Sequence, residues 1–380
     1  MENAYNLFIN KLFMKADLGK IPLAGTFELT SRCTLDCKMC YVKKSMAEVR
    51  QLGGLKSADE WIALGRKAVD AGMLFLLLTG GEPFLYPEFR RLYETLHGMG
   101  LAIDINSNGT LIDEEQVSWL RRMPPRHVKI SLYGATEESY RQLCGNGQAY
   151  HQVLRAFRLL KEAGIAVYAS ITVTPHNFHE LTDMLALCES HGVPVRATSY
   201  MYPPHRSNQA HIHEQFRLTP EEAAQATFQI TRYDNDEAVF NERAREYRTA
   251  HYQNFLARAD CGHECGSLAC RAGSCTFWVT WRGEMIPCAM MEFGRVPMMG
   301  DQDFLAAWRE ISAIAQGIRT APQCNACPAR KACYACAASA YCETGATDVR
   351  PEYPCRMTAE YIKLMGAHAD ALDAETGDST

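Results

Sequence analysis

From residue 26 to about 201, short apolar runs alternate with longer segments of helical period. The runs are Thr26–Thr30, Phe75–Thr79, Ala102–Asn106, Val128–Leu132, Val167–Val173 and Val195–Tyr200. Between the first two, Ser57-Ala-Asp-Glu60 reads as a capping box, followed by Trp61, Leu64 and Ala68 at helical spacing and closed by Gly72. Phe89–Leu96, Glu114–Leu120, Val153–Ala163 and Glu180–Cys188 repeat the plan, with Gly164 and Gly192 as stops for the last two. Strands that alternate with helices predict an α/β fold with a parallel sheet and right-handed crossovers. Six such units fall short of the eight that close a barrel, so the expectation is an open, partial (βα)6 TIM-type barrel.

After the barrel the pattern changes. Tyr202–Ser207 is a Pro-rich break, and Thr219-Pro220-Glu221-Glu222 opens a helix with Thr as N-cap and Pro at the first position. The stretch 232–258 reads as a solvated connecting helix. From 261 onward the periodicity weakens and Cys, Gly and Pro dominate, so metal rather than an apolar core is expected to hold that region together. Residues 366–380 are small and polar and are expected to fray. The resulting plan is an extension at 1–25, the barrel at 26–201, a connecting segment at 202–260, a Cys-rich domain at 261–365 and a flexible tail at 366–380.

Composition narrows the classes of function. A net charge of −5 over 380 residues gives no reason to expect nucleic acid or an anionic membrane as partner. No apolar run approaches the ~20 residues of a membrane span, and residues 1–15 lack the apolar core of a secretory signal. A cytoplasmic protein is expected. In a reducing compartment sixteen cysteines mean metal more readily than disulfides. Three lie at 33–40, Cys144 and Cys188 follow as expected buried thiols, and eleven crowd into 261–355.

Cys33, Cys37 and Cys40 stand directly behind the first strand. Three thiolates at this spacing can hold one face of a cubane [4Fe–4S] cluster and leave one iron open to a group that is not protein. A structural zinc knuckle is the alternative, although neither Tyr41 nor a nearby His offers the fourth ligand zinc usually takes. In parallel α/β folds ligands bind at the carboxyl ends of strands. There the second run exits as Thr79-Gly80-Gly81-Glu82-Pro83, where two glycines allow close backbone approach and Glu82 can accept from an ammonium group. A plain glycine turn capping a helix is the alternative. Asn106, Ser107 and Asn108, then Ser131, offer hydroxyls and amides at the third and fourth exits, followed by Thr174 and Asn177 and by Ser199, Tyr200 and Met201.

Together these residues resemble the radical S-adenosylmethionine (radical SAM) superfamily. Cys33, Cys37 and Cys40 match its Cys-x3-Cys-x2-Cys motif and Gly80-Gly81-Glu82-Pro83 its GGEP motif, with Met39 where an aromatic is usual. The resemblance implies an enzyme in which the open iron chelates S-adenosylmethionine. Its cleavage gives a 5′-deoxyadenosyl radical that removes hydrogen from a substrate. It implies cofactor contacts from Gly80, Gly81, Glu82 (to the amino group), Pro83, Asn106, Ser107, Asn108, Ser131 and Thr174. The C-terminal third resembles a SPASM domain with two auxiliary [4Fe–4S] clusters. By that resemblance Cys270, Cys275, Cys288 and Cys336 hold one, and Cys324, Cys327, Cys333 and Cys355 the other. Only two residues precede Cys336 in the central run instead of three, which leaves Cys342 as a substitute, and Cys261 and Cys265 are surplus. A zinc ribbon is the alternative for 324–336.

Enzymes of this kind mostly modify peptides and proteins, so the implied function is cross-linking, epimerisation or oxidation of a ribosomally made peptide. The expected partners are a peptide or small-molecule substrate, a flavodoxin- or ferredoxin-type reductant and, with no ~80-residue recognition domain ahead of the barrel, a separate peptide-recognition protein. Ala289 stands where sulfatase-maturating members carry an acid, which argues against that oxidation. A tetrapyrrole-tailoring enzyme and an iron–sulfur electron carrier are the remaining alternatives. The S-adenosylmethionine site is expected to be complete within 33–201, with 261–355 adding ligands but no strand exit.

Overall fold

The computed structural model describes residues 2–203, 214–249, 270–325 and 327–376. Six parallel strands form the expected α/β sheet: β1 (Ala24–Glu28), β2 (Phe75–Thr79), β3 (Ala102–Ser107), β4 (His127–Leu132), β5 (Val167–Thr172) and β6 (Val195–Thr198). Each pairs with its sequence neighbour, so the strand order is the chain order. The sheet does not stop there. β7 (Thr276–Val279) adds to β1 in parallel, and β8 (Glu284–Ile286) and β9 (Val296–Pro297) continue it antiparallel, giving nine strands in the order β6-β5-β4-β3-β2-β1-β7-β8-β9. The Cys-rich third therefore also contributes strands, which the sequence reading did not list. They are only two to four residues long, too short for a period of two to stand out.

The period of two decides which way each strand looks. Leu78, Ile105, Val128, Ile130, Leu132 and Ile171 are fully buried on the face covered by helices. Their neighbours Thr79, Asn106, Ser131 and Thr172 carry polar side chains on the other face, where the sheet curls round a cavity.

Helix α1 (Glu2–Gly19) occupies most of what the sequence left as an extension. Its Phe13 stacks on Phe75 at the entry of β2, 5.4 Å between ring centroids, and Ala16 is buried beside Leu23 and Cys275. Helix α2 (Met46–Gln51) was not expected; α3 (Ala58–Asp70) carries the Ser57 capping box read from the sequence. Helices α4 (Phe89–Gly98) and α5 (Glu114–Leu120) follow as expected, then the unanticipated α6 (Glu137–Cys144). Helix α7 (Ala149–Glu162) starts four residues ahead of its apolar pattern, and α8 (Leu181–Ser190) completes the layer.

Beyond the barrel lie α9 (Pro220–Tyr233), capped by Thr219, α10 (Glu237–Glu246), α11 (Phe304–Gly317), α12 (Ala337–Thr344) and α13 (Glu352–Thr376). Two expectations are corrected here. The C-terminal third has an ordinary apolar core: Phe277 packs edge-on against Phe304 and Trp308, and Ile311 is fully buried in the same cluster as the barrel. The expected frayed tail is helical to Thr376. Met365 and Ala369 are buried, and the Tyr361 hydroxyl lies 3.3 Å from Thr231 Oγ1 on α9. Small residues there permit close helix packing rather than fraying.

Candidate functional site

The first strand exit carries Cys33, Cys37 and Cys40, and the loop that bears them is gripped from two sides. On one side Gly81 N–H donates to Thr30 O (2.6 Å) and Glu82 N–H to Arg32 O (2.8 Å). A Cβ on Gly80 would meet Thr30 O at 2.4 Å, and one on Gly81 would meet Arg32 O at 2.2 Å. The backbone of the cysteine loop itself therefore requires glycine at both positions. On the other side Asp36 N–H donates to Cys144 O (2.9 Å) and Lys38 N–H to Leu143 O (3.0 Å), at the end of α6.

All three cysteines line one cavity of about 380 Å³. Leu35 N–H (3.4 Å) and Asn108 Nδ2 (3.3 Å) donate to Cys33 Sγ, and Lys43 N–H (3.3 Å) donates to Cys40 Sγ. Burial pushes the Cys33 thiol up to about 12 and raises Cys40 as well, while contact with the Cys144 thiol does most to raise Cys37. Electron-poor iron is the partner that would make such sulfurs thiolates. Cysteines that line one cavity and accept from N–H donors suit an iron–sulfur cluster. No fourth Cys and no His lines the cavity among the described residues.

Gly80, Gly81, Asn106, Ser107, Asn108 and Ser131 also line this cavity. Three of the residues predicted to contact the cofactor lie elsewhere. Glu82 is completely buried behind the wall, with Oε1 accepting from Ser107 Oγ (2.9 Å) and Phe84 N–H (3.1 Å) and Oε2 from Asn108 N–H (2.7 Å). Burial pushes its carboxyl up to about 7 against the pull of these donors. It braces Asn108, which in turn reaches Cys33 Sγ and Thr34 Oγ1 (3.0 Å). Pro83 is buried at the start of a short 3-10 turn. Thr174 is buried, its N–H and hydroxyl both engaged by Asn177 Oδ1 at 2.7 and 3.2 Å. Thr172 and Thr198, on the inward face of β5 and β6, line the cavity instead. Strand parity was the signal that would have found them.

The far end of the cavity is formed by Tyr133, Tyr200, Met201, Tyr202, Pro203, Ala289 and Met290. Two of these directly follow Cys288, so the C-terminal third supplies wall as well as cysteines. Cys288, pushed up to about 11 chiefly by burial, also feels Cys336 and Cys270. Cys342 is buried among them, interacts with Cys288 and Cys336, and lies with its sulfur 3.3 Å from Met290 O. Cys275 is not brought to this group; it is fully buried under α1, in the apolar cluster with Ala16, Leu23 and Phe75. Cys324, Cys327, Cys333 and Cys355 lie close enough to perturb one another, Cys355 being pushed up to about 12 chiefly by burial. Cys144 and Cys188 are buried. Cys261 and Cys265 lie outside the described residues. No described helix is long and apolar enough to cross a membrane.

Comparison with known proteins finds that residues 27–188 match the family model described as Radical SAM superfamily. The chain is 26% identical over 339 residues to an AdoMet-dependent heme synthase of Nitratidesulfovibrio vulgaris, covering 84% of this chain and 88% of that protein. It is 27% identical over 172 residues to the sporulation killing factor maturation protein SkfB of Bacillus subtilis, covering 45% of this chain and 41% of the relative. Among solved structures, Streptococcus suis SuiB bound to precursor peptide SuiA shares the fold, with a TM-score of 0.63 at 16% identity over 88% of this chain and 76% of that one.

Proposed function

Because this chain is a radical SAM enzyme, with that superfamily's domain at residues 27–188, we propose that its substrate is a ribosomally made peptide, modified by hydrogen abstraction at an uncharged side chain. Cys33, Cys37 and Cys40 would hold the [4Fe–4S] cluster, and Gly80, Gly81, Asn106, Ser107, Asn108, Ser131, Thr172 and Thr198 would bed S-adenosylmethionine; together the bound groups supply a 5′-deoxyadenosyl radical. The chain's own contribution is positioning and exclusion of water. Tyr133, Tyr200, Met201 and Met290 make the far end an aromatic and apolar sleeve in which a reactive carbon is kept from solvent.

One observation carries the choice of substrate. Among the described residues that line the cavity there is no Lys, Arg, His, Asp or Glu. An isolated carboxylate drawn into such a wall would lose its hydration with no cation to meet it, at a cost of several kcal/mol. An uncharged peptide side chain enters without that penalty. Cys324, Cys327, Cys333 and Cys355 would hold one auxiliary cluster, and Cys270, Cys288 and Cys336, with Cys342 beside them, the other. A flavodoxin- or ferredoxin-type protein would supply electrons.

A tetrapyrrole substrate is the second reading, favoured by the likeness to a heme synthase over most of both chains. The two are separated by incubating anaerobically reconstituted enzyme, S-adenosylmethionine and dithionite with each candidate. The candidates are short peptides encoded beside the gene and a carboxylated tetrapyrrole. A loss of two hydrogens, or solvent deuterium gained at one residue, is expected on a peptide. Turnover of the tetrapyrrole with every peptide unchanged overturns the proposal.

A further inference from the structure

Tyr202 follows β6 and lines the cavity, and its hydroxyl meets a cysteine of the C-terminal third. It lies 3.8 Å from Cys336 Sγ, within reach of a hydrogen bond to sulfur. Cys336 is the N-cap of α12, and its sulfur also accepts from Ser339 N–H at 3.4 Å. Two residues earlier in the chain, Tyr200 treats the other end of the same helix alike. Its hydroxyl donates to Glu343 Oε1 at 2.8 Å, and Arg217 pairs with that carboxylate while lying over the Tyr353 ring, 3.6 Å from the centroid. The two tyrosine rings meet edge to face, 4.9 Å apart at 73°. One strand exit thus holds both ends of the helix that presents Cys336, and the ring that walls the cavity is the ring that touches the sulfur.

A sulfur that ligates iron can only accept here, so the tyrosine donates. Each donor to a ligating sulfur draws electron density from the iron and makes the cluster easier to reduce. We propose that Tyr202 is a positioning residue whose hydroxyl, donated to Cys336 Sγ, ties the substrate end of the cavity to the Cys288–Cys336 cysteine set and raises the reduction potential of the cluster held there. This rests on the reading that Cys288 and Cys336 hold an auxiliary cluster, and the experiment separates the two claims.

The test is a potentiometric titration of the anaerobically reconstituted full-length enzyme, followed by electron paramagnetic resonance, on the wild type, Tyr202→Phe and Tyr200→Phe. The auxiliary signal is first identified as the one lost in Cys288→Ser; if no cubane signal disappears in that variant, the cluster reading fails before Tyr202 is tested. Tyr202→Phe is expected to lower the potential of that signal and change its line shape, while Tyr200→Phe, which keeps the donor on Cys336, leaves it in place. A potential unmoved in Tyr202→Phe, or moved equally in both variants, overturns the proposal. Should phenylalanine cost the chain its iron, 4-aminophenylalanine at position 202, a weaker donor of the same shape, decides: a lowered potential supports the hydrogen bond, an unchanged one overturns it.

Discussion

Replacing Glu82 by Gln tests whether this residue braces the cysteine loop or contacts the cofactor. Glutamine has the shape of glutamate, but its amide nitrogen must face either Asn108 N–H or Phe84 N–H, which now bond to the two carboxylate oxygens. One buried donor is left unmet, a loss of about 1–3 kcal/mol. Against this stands the cost of the buried anion. Burial raises the Glu82 carboxyl from 4.5 to about 7, a difference of roughly 3 kcal/mol between its two protonation states. A carboxyl whose folded pKa is raised contributes stability that is fully present below its unfolded value and is lost as pH climbs through the folded one. Below pH about 4.5 the protonated acid also turns one oxygen into a donor, so it and glutamine should be equally stable. Between there and pH about 7 the wild type should lose about 3 kcal/mol that Glu82→Gln keeps. The desolvation effect wins, and the variant should be the more stable protein at pH 8. Urea denaturation of the metal-free chain from pH 4 to 8, with folding checked by circular dichroism, measures both curves. Activity should move the other way. Asn108 loses an anchor, Cys33 loses a well-aimed N–H donor, and cleavage of S-adenosylmethionine by the loaded enzyme should fall. Parallel stability curves, or a wild type more stable at pH 8, would refute the reasoning; a loss confined to S-adenosylmethionine affinity would return Glu82 to a ligand role.

Other outcomes follow from the same geometry. Dithionite-reduced wild type should convert S-adenosylmethionine to 5′-deoxyadenosine slowly without substrate, and replacing Cys33, Cys37 and Cys40 together by Ala should abolish this; chromatographic detection of continued product would place the open cluster elsewhere. Reconstituted wild type should bind roughly twelve irons, three cubanes of four. By metal analysis Cys275→Ser should keep them all and Cys355→Ser should lose about four, whereas iron near four with stoichiometric zinc would sink the auxiliary-cluster assignment. Arg217→Met leaves the part-buried Glu343 with only the Tyr200 hydroxyl, so it should cost about 1–3 kcal/mol; an unchanged urea midpoint would show that the pair does not hold α12 to the barrel.

What the chain determined by itself was what is local. Alternation and capping residues placed the six parallel strands to within two residues at either end. Short-range spacing set Cys33, Cys37 and Cys40 on one loop, because one strand exit and one turn suffice to orient them. Non-local decisions needed the folded molecule. Gly80 and Gly81 read as room for a ligand; the fold shows that they must also leave room for Thr30 O and Arg32 O, some fifty residues away. Glu82 read as a contact residue because a carboxylate at a strand exit can accept from an ammonium group; the donors Phe84 N–H, Asn108 N–H and Ser107 Oγ hold it buried instead. Thr174 sits past the end of β5, where alternation no longer constrains direction, and its partner Asn177 turns it inward. Cys275 matches the spacing of a ligand, yet β7 pairs with β1 and puts it under α1, a contact between segments far apart in the chain. Spacing along the chain governs which groups are near when a loop is short. Once a strand crosses to another edge of the sheet, burial and register decide.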